Sequence, residues 1–289
     1  MHAQNKLVNF IGLGSQATAP LLYTYLAEHP SISLASEETK FFSDAKAFAK
    51  GLSWYESHFT KFGEANVCGE LAFDYLESAQ AAGFIARTYP SARLLAVVDN
   101  PLISVRVEYI MARRAKRISN TVSLSEYLKD NPEVMLRARY GRQLLHYFGL
   151  YSQNDFLVLL ASDFDKKTLT SLAQAYEHLG LDKNFIPPRL QYLIPEEEEG
   201  PKIKPGIIKR TYRLVKKNIK LFLKYVKYVV KPPQAALELA SVVALAVPLS
   251  SELEQFLKDY YRADVKQLSA LLHRDLSLEW AFVDEVKKS

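Results

Sequence analysis

Gly12, Gly14, Ser15, Gln16, Ala17 and Thr18 are the residues of this chain whose types and spacing best suit anion chemistry. They lie between an apolar run, Val8 to Leu13, and a helical pattern formed by Leu21, Leu22, Tyr25 and Leu26. A loop that joins a strand to a helix collects unpaired backbone N–H groups at the positive end of the helix dipole, and so makes an anion site. The small residues leave the backbone room to close on a phosphate, and Ser15 and Thr18 bring hydroxyls that donate to its oxygens. Small residues at such a turn are equally an ordinary packing requirement of α/β folds. The loop contains no lysine. Metal chemistry finds no support, because His58, His146, His178 and His273 show no ligand spacing with one another or with Cys68, the single cysteine. There is no G-x-S-x-G elbow, complete Walker loop or G-x-G-x-x-G fingerprint.

The elements that must hold this loop follow from hydrophobic patterning. Val8 to Leu13 reads as a short buried strand, and Pro20 suits the first turn of the helix after it, where its missing N–H costs nothing. Ala92 to Val98 reads as a second buried strand ending at Asp99-Asn100-Pro101, with a helix over Ile103 to Arg117. Phe156 to Leu160 reads as a third, ahead of a helix over Leu169 to Leu179. Continuous apolar strands alternating with helices predict a parallel sheet covered on both faces, a three-layer α/β/α fold. A last helical pattern runs from Ser250 to Trp280 through Leu253, Leu257, Tyr261, Val265, Leu268 and Leu272.

With 289 residues, 48% of them hydrophobic, the chain is long enough to bury a full core, and it is read as one domain over 1–289. The start Met1-His2-Ala3-Gln4-Asn5-Lys6 and the apolar run after it are too short and wrongly flanked for a signal peptide, so a cytoplasmic protein is expected. The net charge of +5 is unevenly placed: residues 202–231 hold eleven Lys or Arg and no acid, whereas the rest carries 26 basic and 32 acidic residues. Pro and Gly bracket this stretch, which is read as an inserted element over 196–233. Within it Ile208, Tyr212, Val215, Ile219, Phe222, Val226 and Val229 follow helical spacing, while Lys209, Arg213, Lys216, Lys217, Lys220, Lys224 and Lys227 take the opposite face. Such a cationic amphipathic helix suits an anionic membrane surface, a polyanion, or a lid over the body; membrane contact is preferred, peripheral on the inner face. Nucleic acid is not expected, since no binding motif accompanies the patch and the remainder is acidic.

The order of short words along the chain resembles the sulfotransferase family that uses 3′-phosphoadenosine 5′-phosphosulfate, especially its bacterial and heparan sulfate-type carbohydrate branch. Members open with a strand, a loop G-x-x-K-x-G-T, a helix ending in His-Pro, and a Glu before x-x-Phe-Phe; here His29-Pro30 and Glu38-Thr39-Lys40-Phe41-Phe42 stand in those places. Gly51-Leu52-Ser53-Trp54-Tyr55 with Phe59 is similar to the segment before the family's second strand, and Gly69-Glu70 with Tyr75-Leu76 resembles its G-E-K-x-P-x-Y-L. Leu94 to Pro101 resembles the strand ending in Arg-Asn-Pro, and Tyr109 matches an aromatic one turn beyond the nucleotide-binding serine. Pro248-Leu249-Ser250, Tyr260-Tyr261, Asp264-Val265 and His273-Arg274-Asp275-Leu276-Ser277 with Trp280 look like the closing helix of bacterial members.

The resemblance implies a P-loop-like sulfotransferase fold and transfer of a sulfuryl group to a hydroxyl of a glycan or lipid-linked sugar. It implies Glu38 as general base, and Gly12, Gly14, Ser15, Gln16, Ala17, Thr18, Asn100 and Ser104 as donor-binding positions, with no metal. The departures cluster around the donor. Ser15 or Gln16 stands where the loop lysine belongs, Asp99 where the strand-end arginine grips the 3′-phosphate, Val107 where a serine shares that phosphate, Ser104 at another arginine and Leu71 at the second lysine. An acid beside a dianion repels it. Two alternatives follow: a non-catalytic relative that binds a glycan, a membrane or a partner subunit, and an enzyme using another donor. Arg106, near Ser104 but turned away on the helix, and Arg113, Arg114, Lys116 and Arg117, read as a solvated helix end, are not assigned as replacement cations.

Overall fold

The computed structural model describes residues 7–14, 19–35, 38–59, 67–72, 74–188, 190 and 247–282. Five strands, β1 (Phe10–Gly14), β2 (Ile32–Leu34), β3 (Val67–Ala72), β4 (Arg93–Val98) and β5 (Phe156–Leu160), form one sheet in the order β2-β3-β1-β4-β5. Every pairing is parallel, with Phe10 opposite both Gly69 and Arg93, and Leu94 opposite Phe156. The expected parallel α/β architecture is what the chain adopts. Leu94 to Val98 are all buried, as a strand covered on both faces must be.

Side chains alternate between two apolar layers, which is the period-two geometry of strands. Phe10, Leu71, Leu95, Val97 and Leu159 face α1 (Ala19–Leu26) and α9 (Ala161–Leu179), where Leu22, Leu26, Leu172 and Tyr176 complete a core. Ile11, Leu13, Cys68, Leu94, Ala96 and Val98 face the larger layer. That layer holds α2 (Ala45–Phe48), α3 (Leu52–Glu56), α4 (Ala79–Thr88), α5 (Pro101–Arg114), α6 (Leu124–Asp130), α7 (Glu133–Arg137), α8 (Tyr140–Phe148), α10 (Ser251–Leu272) and α11 (Leu276–Glu279). Cys68 is fully buried there as a small packed side chain, and burial pushes its thiol up to about 12.

Three local differences from the sequence expectation have identifiable causes. β2 is only three residues long, and β3 carries Gly69 and Glu70, so neither forms the long apolar run that marks a buried strand. α9 starts at Ala161, eight residues ahead of the expected Leu169, because Lys167 (φ −143°, ψ 50°) kinks it and disrupts the helical period. The closing pattern is two helices: His273 takes a left-handed conformation (φ 50°) at the end of α10, and Asp275 then caps α11 by accepting from the Leu278 N–H at 3.0 Å.

α10 and α8 pack closely around one glycine. A Cβ at Gly141 would lie 2.3 Å from the Asp264 carbonyl oxygen, so only glycine fits there. The Asp264 carboxylate, 2% exposed, accepts from the N–H groups of Gly141 (3.0 Å) and Arg142 (2.9 Å) and so caps α8 from across the layer.

The strand order puts a topological switch between β1 and β4, since the chain leaves β1 towards one edge of the sheet and leaves β4 towards the other. In open parallel sheets, ligands bind outside the carboxyl ends of the strands at such a point. Gly14 ends β1 there, and Asp99 and Asn100 follow β4. Among the described residues no helix is long and apolar enough to cross a membrane.

Candidate functional site

Glu38 follows β2 at the carboxyl edge of the sheet and is half-buried. Neighbouring strands lie about 4.8 Å apart, so the end of β2 sits roughly 10 Å from β1, across β3. The residue after Glu38 is tightly held. Thr39 Oγ1 donates to Glu70 Oε2 at 2.8 Å, lies 3.2 Å from Tyr75 OH, and accepts from the Phe41 N–H at 3.2 Å. Tyr55 OH donates to the other Glu70 oxygen at 2.7 Å, and the Phe42 N–H donates to Tyr75 OH at 3.2 Å. Lys40 takes a left-handed turn (φ 53°) that swings Phe41 and Phe42 into the core. Glu70 is thus the buried post to which the Glu38 segment is tied.

Glu70 is 1% exposed. Burial pushes its carboxyl up to about 7, against the opposing pull of the hydroxyls that donate to it. Tyr55 and Tyr75 are pushed well above the ordinary tyrosine range, by burial first and by the Glu70 charge second, and so remain proton donors.

At the switch point Asn100 caps α5: its side-chain oxygen accepts from the Leu102 N–H at 2.9 Å, and Pro101 occupies the first turn. Asp99 is 4% exposed and accepts from the Asn100 N–H at 2.7 Å. The Ser104 hydroxyl is 2.8 Å from Tyr140 OH and donates to the Asn100 carbonyl at 3.3 Å. Gly12 faces away from this crevice, towards α1 and α9, where a Cβ would run into the Leu71 side chain at 1.9 Å. Leu71, which takes the place of the family's second lysine, is therefore part of the core.

Beside Gly14 the crevice opens into a cavity of about 30 Å³ whose lining includes Ser104, Val107, Glu108, Arg137, Tyr140 and Gln143. Arg137 of α7 grips Glu108 of α5 with two bonds, Nε to Oε1 at 3.2 Å and Nη2 to Oε2 at 3.1 Å. Its Nε and Nη2 are thus held by a carboxylate of this chain.

Apart from Gly12, which is turned into the core, the positions assigned from sequence divide into three groups. Gly14 and Ser104 come together at the cavity, and Asn100 stands beside it, its side-chain oxygen spent on the α5 cap. Glu38 sits at the same sheet edge, two strands from β1. Ser15, Gln16, Ala17 and Thr18 lie outside the described residues, as do the insertion 196–233 and its cations Lys209, Arg213, Lys216, Lys217, Lys220, Lys224 and Lys227.

Arg106 does not line the cavity; it is half-buried, with the nearest charge influence from Glu254, and its Nε has no hydrogen-bond partner among the described residues. The solvated helix end expected at Arg113, Arg114, Lys116 and Arg117 holds for the exposed Lys116 and Arg117, and the Arg113 bond to the Asn120 carbonyl at 3.0 Å lies at the surface. Arg114 departs from it, since burial lowers it from the usual arginine range. His29 accepts from the Ser31 N–H at 3.1 Å and packs between the rings of Tyr176 and Phe185, where burial lowers its pKa. Tyr140, Arg137 and Gln143 carried no sequence signal as site residues, because they come from helices outside any recognisable motif; Glu70 stood in the word Gly69-Glu70, but nothing in the sequence marked it as the anchor of the Glu38 segment. Among the described residues no group of three or more His, Cys, Asp or Glu is placed to hold a metal ion.

The sequence matches no known family model, and no curated protein matches it. Solved structures are similar in three dimensions. The sulfotransferase from Alicyclobacillus acidocaldarius aligns over 96% of this chain and 99% of its own, with a TM-score of 0.66 and 18% identity. A sulfotransferase domain from the curacin biosynthetic pathway covers 85% of this chain and all of its own, at TM-score 0.47 and 15% identity. The mouse sulfotransferase SULT7A1, solved with PAP, covers 82% of this chain and 89% of its own, at TM-score 0.44 and 12% identity. The parallel five-stranded sheet, with its switch-point crevice between β1 and β4, is the sulfotransferase fold.

Proposed function

We propose that this protein transfers a sulfuryl group to a hydroxyl of a glycan or lipid-linked sugar, with Glu38 as the base and the loop from Gly14 to Thr18 as the anion-holding element. What carries the reading is the anchoring of the Glu38 segment, through Thr39 and Glu70, at the carboxyl edge of a sulfotransferase-type sheet. Glu38 takes the proton of the acceptor hydroxyl as its oxygen becomes nucleophilic; the Thr39–Glu70–Tyr55 network holds the backbone beside it, which limits the cost of positioning. The N-terminus of α5, capped by Asn100, adds a positive dipole end to the crevice.

The described residues do not fit the 3′-phosphate of 3′-phosphoadenosine 5′-phosphosulfate. Asp99 stands buried at the strand end, Val107 offers no hydroxyl, and the guanidinium of Arg137 is committed to Glu108. That misfit favours a second reading, in which the crevice serves a donor without that phosphate, or a ligand that is bound and not turned over. Calorimetric titration with 3′-phosphoadenosine 5′-phosphate at low salt separates the two. Binding at a hundred times Kd raises stability by about 2.7 kcal/mol; no heat and no thermal stabilisation up to millimolar concentration sinks the donor assignment.

The single-domain reading of 1–289, the peripheral inner-membrane location and the possible partner subunit belong to the same proposal. The first rests on chain length and composition, the partner subunit on the altered donor positions, and the membrane location on the basic segment 196–233; sedimentation with anionic liposomes tests the last, and protein left in the supernatant at low salt contradicts it.

A further inference from the structure

The cavity beside Gly14 has the wrong chemistry for a phosphate and a definite chemistry of its own. Its lining carries two carboxylates, Glu77 and Glu108, against one guanidinium, Arg137. Behind them, Leu76, Val107, Met111, Val134 and Ala138 form an apolar floor. Gln143 of α8, 7% exposed, also lines it. Its Nε2 donates to the carbonyls of Leu136 and Arg137, both at 3.2 Å, and this pair of acceptors fixes which end of the amide is nitrogen. The other end, Oε1, is buried without a hydrogen-bond partner among the described residues. A buried acceptor left unmet costs its full desolvation, so a donor belongs opposite it.

We propose that this cavity binds a protonated primary amine, the ammonium end of a ligand held in the crevice. The ammonium presents three N–H donors and no acceptor. One meets Gln143 Oε1, and the others face Glu77 and the hydroxyls of Ser104 and Tyr140. Glu108 is already matched by Arg137, and burial pushes the Glu77 carboxyl up to about 7, so the ammonium charge is what holds Glu77 ionised. The size agrees: a water-sized group needs at least about 10–15 Å³, so the roughly 30 Å³ present takes the nitrogen and one methylene. A quaternary ammonium is too large and has no N–H, and a neutral alcohol brings no charge. The Glu108–Arg137 pair becomes part of the design, because the carboxylate held by α7 keeps the guanidinium from repelling the incoming cation.

This inference shares the crevice of the sulfuryl-transfer reading but not its donor. The test is a ligand-observed NMR titration of the full-length protein with ethylammonium chloride, with ethanol and tetramethylammonium chloride as comparison probes at equal ionic strength. A three-heavy-atom ligand reaches a Kd on the order of 1 mM at best. Expected is saturable binding of ethylammonium alone, weakened about tenfold or more by Glu77→Gln, which keeps the shape of the side chain and removes its charge. Gln143→Met, of similar volume, is expected to lose binding as well; a melting curve for each variant shows that it is folded. No saturable binding up to about 100 mM, equal binding of the three probes, or ethylammonium affinity unchanged in Glu77→Gln overturns the proposal. Ethylammonium bound with 3′-phosphoadenosine 5′-phosphate not bound rejects the donor alone, and the converse result rejects the cavity assignment alone.

Discussion

Replacing Glu70 with Gln should change how stability depends on pH, and the size of the change follows from where Glu70 sits. Its carboxyl is 1% exposed and moves from an ordinary 4.5 to about 7 through burial. In the unfolded chain the proton leaves near pH 4.5; in the folded protein it stays until about pH 7. Between those values the folded state binds more protons, so the stabilising effect of the neutral carboxyl is whole below pH 4.5 and lost as pH rises to about 7. At about 1.4 kcal/mol per pH unit, the loss is roughly 3 kcal/mol. Gln has the shape of the protonated acid and keeps a carbonyl for Tyr55, while its amide can donate to Thr39, whose hydroxyl turns towards Tyr75. The variant has no such titration. The difference in unfolding free energy, Glu70→Gln minus wild type, should therefore grow by roughly 3 kcal/mol between pH 4.5 and 8. Urea unfolding at several pH values, followed by tryptophan fluorescence, measures it. His29 and His178 have pKa values lowered by burial and work in the opposite sense, their stabilisation present above 6.5 and lost on acidification, but they act equally in both proteins and cancel. A difference that stays constant across this pH range refutes the buried neutral carboxyl.

Glu38→Gln should lower turnover by about 10²–10⁴-fold while leaving nucleotide affinity nearly intact, measured by sulfuryl-transfer assay and calorimetry; equal activity rejects Glu38 as base. Gly69→Ala would bring a Cβ within 2.4 Å of the Phe10 carbonyl oxygen on the paired strand, and should cost about 3 kcal/mol in urea unfolding. Asp264→Ala strips the cap from α8 and leaves the Gly141 and Arg142 N–H groups unmet; a loss of about 3 kcal/mol is expected, with Asp264→Asn recovering part of it.

What the amino-acid sequence determined by itself was the layered architecture. Phe10 to Leu13 and Leu94 to Val98 are short runs buried on both sides, Phe156 to Leu160 is a similar apolar run at the sheet edge, and each is followed by a helical period; that pattern has one stable outcome, a parallel sheet between helices. Such information is local, written in the alternation of side-chain types. Only the tertiary structure decided the site. Glu70 becomes an anchor because Tyr55, Thr39 and Tyr75, from three separate segments, converge on it where it is almost wholly buried. Leu71 is core and not crevice because the pleat turns it over Gly12. Arg137 is neutralised by Glu108, and Gln143 is left with an orphaned oxygen, only once α5, α7 and α8 have packed. A side chain's charge and chemistry are set by its desolvation and its partners, and those partners lie tens of residues away along the chain, where no spacing rule reaches.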